Sequence, residues 1–169
     1  MIVVYVIAGI ISVVLICIGI VMVNEKTKGR KMIADFEKRI ENRGFTKRIV
    51  TYDFLKKLGQ TGFIHWWIVG IWIDYKKQLI TIRPNRDTWQ EIDVPFKKIH
   101  SVEVIEDVEN LRVRIVTGSL EAGSQAYNIV LYEPKFNVKF TRSDPYYKAI
   151  QECARSIYDE IGYITSHSE

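Results

Sequence analysis

Residues 63–83 read FIHWWIVGIWIDYKKQLITIR, and the reading of this stretch decides the fold. Two apolar runs rich in Ile and Trp flank the polar tract Asp74-Tyr75-Lys76-Lys77-Gln78. That pattern predicts two antiparallel strands joined by a short turn. The first run, Phe63 to Ile73, has eleven residues and no Lys, Arg, Asp or Glu. It is too short to cross a bilayer as a helix, and is predicted to be the central core strand. The rival reading is an interfacial or re-entrant element, because tryptophans favour the headgroup region.

Short apolar or alternating runs separated by turn residues continue on both sides. They predict strands near 45–51, 62–73, 78–83, 89–94, 100–106, 111–117, 127–133 and 136–141, in meander order. Arg83-Pro84-Asn85-Arg86-Asp87 suits the bend after the first hairpin. Helical spacing returns at the end of the chain. Asp144 can cap, Pro145 suits the first helical position, and Ala149 or Ile150, Cys153, Ile157 and Ile161 form an apolar stripe. A lone helix after seven or eight strands must bury that stripe against an open face or end of the sheet. The expected class is therefore α+β, an antiparallel β roll or partly open barrel capped by a C-terminal helix.

The other end of the chain is a different solvent problem. Ile2 to Val23 reads IVVYVIAGIISVVLICIGIVMV, 22 uncharged residues that span about 33 Å as a helix and match the hydrocarbon thickness of a bilayer. No Lys or Arg precedes the block, which argues against a cleaved signal peptide. Ile16 before Cys17 argues against a lipoprotein site. Lys26, Lys28, Arg30, Lys31, Lys38, Arg39 and Arg43 follow the block, so the positive-inside rule puts the N-terminus outside and the C-terminal domain in the cytoplasm. A short amphipathic helix over 30–43, with Ile33, Phe36 and Ile40 on its apolar stripe and Gly44 after it, links anchor to domain. The organisation read from these patterns is an anchor at 1–23, a basic juxtamembrane linker helix at 24–44, a folded domain at 45–164 and a polar tail at 165–169.

Charge is distributed unevenly. The net charge is +4, but residues 24–50 hold nine basic and four acidic residues, whereas 51–169 hold fifteen basic and sixteen acidic. The excess is juxtamembrane and faces phospholipid, with Lys26, Lys28, Arg30 and Lys31 as the expected contacts for anionic headgroups. A nearly neutral domain gives no reason to expect nucleic-acid binding. Two cysteines, Cys17 and Cys153, cannot build a disulfide framework or a four-ligand zinc site.

GIWIDYKKQLITI (Gly70–Ile82), IDVPFKKIHSVEVIED (Ile92–Asp107) and FTRSDPYYKAIQECARSIYDEI (Phe140–Ile161) together resemble the small bacterial pleckstrin-homology-like (PH-like) domains, over roughly residues 62–164. Some relatives carry a long Gly-rich apolar insertion after the strand matching Leu111 to Thr117, where this chain has only GSLEAGSQ (Gly118–Gln125). The anchored layout is similar to that of the sublancin immunity proteins. The resemblance implies a PH-like fold without catalytic motifs. It also makes Lys76, Lys77, Lys97 and Lys98 candidates for lipid-headgroup contact, because eukaryotic PH domains use basic loop residues in that way.

The chemistry-bearing residues do not assemble into a motif. His65, His100 and His167 lack metal-ligand spacing, and no HExxH occurs. Gly118 to Ser124 has the glycines of a phosphate loop without its lysine or its following helix. Glu103, Glu106, Asp107 and Glu109 lack the repeat of a calcium loop. Cys153 reads as core, and neither Ser119 nor Ser124 has a nucleophile context. No metal or cofactor is expected. The leading expectation is a non-catalytic, membrane-anchored interaction domain that binds a membrane-proximal protein or peptide. Its candidate contacts are Trp66, Trp72, Trp89, the four lysines, and the acidic turn with Glu106 and Asp107. The alternatives are a bacteriocin immunity or phage-exclusion factor and, from another class, a lipid- or peptide-modifying enzyme.

Overall fold

The computed structural model describes residues 31, 34–59, 68–107, 110–118, 123–134 and 140–167. The chain divides into two compact units, Met1–Asn42 and Arg43–Glu169. In the first, residues 34–41 are helical (α1), within the predicted linker helix. The expected span Ile2–Val23 lies outside the described residues. Among the described residues no helix is long and apolar enough to cross a membrane.

The second unit is α+β, with two antiparallel sheets and a C-terminal helix. The first sheet has the order β1 (Lys47–Val50), β2 (Gly70–Asp74), β3 (Leu79–Arg83), β4 (Ile92–Pro95). The hairpin read from the sequence forms β2 and β3. Their register sets Ile71 opposite Ile82 and Ile73 opposite Ile80, so the isoleucines share one buried face, while Trp72 and Thr81 share the other. The turn is held by the Asp74 carboxylate, which accepts from the Lys77 amide at 3.0 Å, and Gln78 adopts φ +51°.

A single strand from Phe63 to Ile73 does not form. β2 starts at Gly70, residues 60–67 lie outside the described set, and Ile68 and Val69 are buried without strand pairing. The reason is local crowding. Gly70 has φ +148°, and a Cβ there would stand 2.1 Å from the Ile49 carbonyl oxygen, so β1 and β2 meet where only glycine fits. The predicted strand 45–51 is likewise shorter than expected. It gives way at Thr51 to a six-residue helix, α2 (Thr51–Lys56), which the sequence pattern did not announce.

β4 begins at Ile92, later than the predicted 89, because Asn85 organises the preceding loop. Its Oδ1 accepts from the Asp87 and Thr88 amides at 3.1 and 2.9 Å. A single turn of 3₁₀ helix at Phe96–Lys98 then sends the chain into the second sheet, β5 (Ile99–Glu106), β6 (Leu111–Thr117) and β7 (Gln125–Tyr132). Both sheets keep the meander order. Val130 N–H donates to the Pro84 carbonyl at 2.7 Å and ties β7 to the end of β3, while Gly118 N–H to the Lys98 carbonyl at 3.0 Å extends the β5–β6 ladder. Of the predicted strand 136–141, residues 135–139 lie outside the described set, and Phe140 is not in a strand. Phe140 instead packs its ring near Tyr132 and stacks on Tyr146.

α3 (Pro145–Ser166) starts as predicted, with the Asp144 side chain accepting from the Tyr146 amide at 2.8 Å and Pro145 opening the first turn. Its buried stripe Ala149, Ile150, Cys153, Ala154, Ile157, Ile161 and Ile164 meets Ile71, Ile73, Ile80 and Ile82 of the first sheet and Val113, Ile115, Ile129 and Leu131 of the second in one core. Full burial of each Leu- or Ile-sized side chain contributes about 1.5–3 kcal/mol, and this shared core is what closes the sheets around the helix.

Candidate functional site

Two surfaces of the second unit bring candidate residues together. The first is a corner built from the β2–β3 turn and the 3₁₀ turn. β3 pairs with β4 so that Leu79 lies opposite Pro95. The Phe96 amide donates to the Gln78 carbonyl at 2.9 Å, and the Tyr75 and Phe96 rings meet edge to face at 5.9 Å. Lys76 and Lys77 on one turn, and Lys97 and Lys98 on the other, are therefore gathered at the same end of the sheet, all exposed. Beside them opens a groove of about 700 Å³ lined by Lys97, Lys98, His100, Thr117, Gln125 and Tyr127, among others.

The carboxylates around this corner are engaged. Lys77 Nζ lies 3.1 Å from Asp74, and the Lys77 amide and ammonium hold the Asp74 carboxyl below the usual range. Arg43 pairs with Glu91 and Asp93. Burial works against the Asp93 carboxylate, but hydrogen bonds from Arg43 and from the Thr81 hydroxyl at 2.6 Å outweigh it, and its carboxyl also titrates low. Glu160 accepts from both Lys47 and the Tyr75 hydroxyl. Burial, and then Glu160, push the Tyr75 phenol up. Lys76, Lys97 and Lys98 have no ion-pair partner among the described residues.

The second surface lies between α3 and β5. In the three-stranded sheet β5 pairs only with β6, so among the described residues it is an edge strand. A groove of about 640 Å³ follows it, with Val104, Leu111, Ala154 and Tyr158 as apolar lining and Lys148 and Arg155 among the charged residues at its rim. Val104 and Tyr158 are 41% and 44% exposed, two of the few large apolar side chains left in solvent. Glu106 ends β5 and fixes the start of α3. It accepts from the Tyr147 hydroxyl at 3.0 Å and from Gln151 Nε2 at 3.1 Å, and lies 3.3 Å from Arg142 Nε. Burial first, and Glu106 second, push the Tyr147 phenol up to about 12.

Neither of the two described tryptophans joins either surface. Trp66, like His65, lies outside the described residues. Trp72 is 3% exposed, because strand alternation turns it to the covered face opposite Ile71 and Ile73, so it offers no open contact. Trp89 is half-buried beneath Arg83, whose guanidinium carbon sits 3.9 Å from the ring centroid. Asp107 is exposed but organises the β5–β6 turn, accepting from the Asn110 amide at 2.7 Å.

Arg83 is a residue the sequence reading missed. It is buried, donates to the Thr88 and Arg86 carbonyls at 3.2 and 3.4 Å, and burial draws its pKa down to about 10 against the pull of Glu91. The signal was present as an arginine closing the alternating run LITIR, but such a residue reads equally well as a solvated strand end. Cys153 is buried on α3, and its thiol is pushed up by burial, which removes the thiolate that nucleophilic chemistry needs. Among the described residues no group of three His, Cys, Asp or Glu side chains is placed to hold a metal ion. Compared with protein-family models, curated proteins and solved structures, the chain finds no match in any of the three.

Proposed function

We propose that this protein is a non-catalytic, PH-like interaction domain, held at the cytoplasmic face of the membrane by the span Ile2–Val23, that takes an extended segment of a membrane-proximal protein or peptide along β5. The sequential four- and three-stranded sheets closed by one C-terminal helix support the PH-like roll. The observation that carries the binding function is the position of β5 as an edge strand, among the described residues, beside the α3 groove. An unpaired strand edge offers main-chain donors and acceptors in register, and an added strand satisfies them, while a groove beside it selects alternate side chains. Val104, Ala154 and Tyr158 suit an aliphatic or aromatic side chain there. Anchoring raises the effective concentration of such a surface toward neighbours in the same membrane, so a weak contact suffices.

The test is selection of a displayed random-peptide library on the full-length protein in lipid nanodiscs. Enriched peptides should slow amide exchange along residues 101–106 and lose binding to the Val104→Asp variant. Peptides that bind Val104→Asp equally well would remove β5 as the site. Carbonate extraction and protease access to a C-terminal tag check the anchor and its direction.

A further inference from the structure

We infer that the segment received between β5 and α3 is acidic as well as apolar: a short extended peptide that sets an aliphatic or aromatic side chain in the groove and a carboxylate two positions from it. The inference rests on the proposed β5 site and adds the chemistry of the partner that fits it.

The carboxylates of β5 are already engaged. Glu106, on the same face of the strand as Val104, is met by Arg142, Tyr147 and Gln151. Glu103, on the other face, is met by Arg114 at 3.1 Å. The cations of α3 at the groove are not engaged: Lys148 and Arg155 are exposed and have no ion-pair partner among the described residues. Glu152 and Asp159 stand four positions beyond them, a spacing that favours pairing along a helix, yet neither ion pair forms among the described residues.

Helical geometry decides which of these charges an occupant meets first. At about 100° of rotation per residue, Ala154, Tyr158 and Gln151 form the wall that continues the buried stripe of α3 into the groove. Arg155 and then Lys148 come next around the helix, and Asp159 and Glu152 are turned farther from that wall. The inner rim is therefore cationic.

The dimensions agree with an added strand. The α3 side of the groove runs from Lys148 to Asp159, about 16 Å of helix, which matches about five residues of extended chain. Alternate side chains of a strand project to one side at intervals of about 7 Å, and Lys148 and Arg155 stand about 10 Å apart along the helix axis. With an apolar side chain set among Val104, Ala154 and Tyr158, a residue two positions away comes within reach of the long cationic side chains. A carboxylate there accepts charge-assisted hydrogen bonds from them. The apolar contact holds the segment, and the rim charge selects it and disfavours basic sequences.

The test extends the peptide selection on the full-length protein, in nanodiscs of phosphatidylcholine alone so that the lipid carries no net charge. Enriched peptides should hold Asp or Glu two positions from an aliphatic or aromatic residue more often than the starting library does, and their binding should weaken in high salt. An exposed ion pair is worth up to about fivefold in affinity, so the combined Lys148→Gln and Arg155→Gln variant, which keeps helix propensity, should bind these peptides roughly tenfold more weakly. Selection on the chain with Lys148→Glu and Arg155→Glu should turn the bias to Lys and Arg, a swap that loss of structure does not produce. Peptides that depend on Val104 but show no acidic bias, or that bind the glutamine variant undiminished, overturn the inference and leave the β5 site standing. Peptides that ignore Val104→Asp, or a library that enriches nothing, remove the site and this inference with it.

Discussion

Arg43 and Asp93, fifty positions apart, are joined through a single nitrogen: Nη2 of the arginine lies 2.8 Å from one carboxylate oxygen and 2.7 Å from the other. Nη1 meanwhile donates to Glu91 at 3.1 Å. The first residue of the folded unit, four positions before β1, is thereby tied to β4, the strand at the other end of the sheet order.

This tie makes stability depend on pH with a definite sign. The folded Asp93 carboxyl titrates below its ordinary value, so its contribution is complete above the unfolded pKa near 3.9 and fades as pH falls through the folded value. The pair is partly exposed and screened, so Asp93→Asn should cost about 1 kcal/mol at neutral pH. Urea unfolding of both proteins should give a gap that is constant from neutrality to about pH 5 and closes in stronger acid. A gap that widens in acid would contradict the assignment.

Gly70→Ala should be among the most damaging single substitutions in the chain. The new Cβ would meet the Ile49 carbonyl at 2.1 Å and the Val50 Cα at 2.9 Å, both backbone atoms that cannot swing aside. Strain and displacement of β1 should cost at least about 3 kcal/mol. Gly59→Ala serves as the comparison, since Gly59 has φ +76° with open space around it, and should cost only about 1 kcal/mol. Thermal melts of the two variants measure the difference.

Cys153 should resist thiol reagents until α3 leaves the sheets. Its side chain is buried in the core and its thiol is pushed up by burial. In a Cys17→Ser chain, labelling should be slow in buffer and should accelerate through the urea transition. Rapid labelling of the native protein would mean that the stripe of α3 is not packed.

Asp144→Ala should lower stability by about 1 kcal/mol by leaving the Tyr146 amide without its side-chain acceptor. Asp144→Asn keeps an oxygen at the same position and should recover most of the loss. Calorimetry of the three proteins decides whether the cap or only the charge matters.

The sequence by itself determined the elements whose cause is local. The hairpin around Asp74 to Gln78, the strands on either side of the β5–β6 turn and the capped helix from Pro145 follow from periodicity, turn chemistry and capping. All of these act over a few residues. It also supplied the four lysines that now share one corner. Tertiary structure alone decided what depends on distant pairing. Gly70 interrupts the apolar run because the paired β1 backbone lies against it at Ile49 and Val50, Trp72 is buried because of the face its register imposes, and Arg83 is enclosed with Trp89 by a loop. The meeting of Lys76 and Lys77 with Lys97 and Lys98 requires β3 and β4 to pair, and β5 is an edge strand among the described residues because the three-stranded sheet ends with it. Both surfaces of interest arise from contacts between residues far apart in the chain, and a one-dimensional pattern carries no record of which strand will lie beside which.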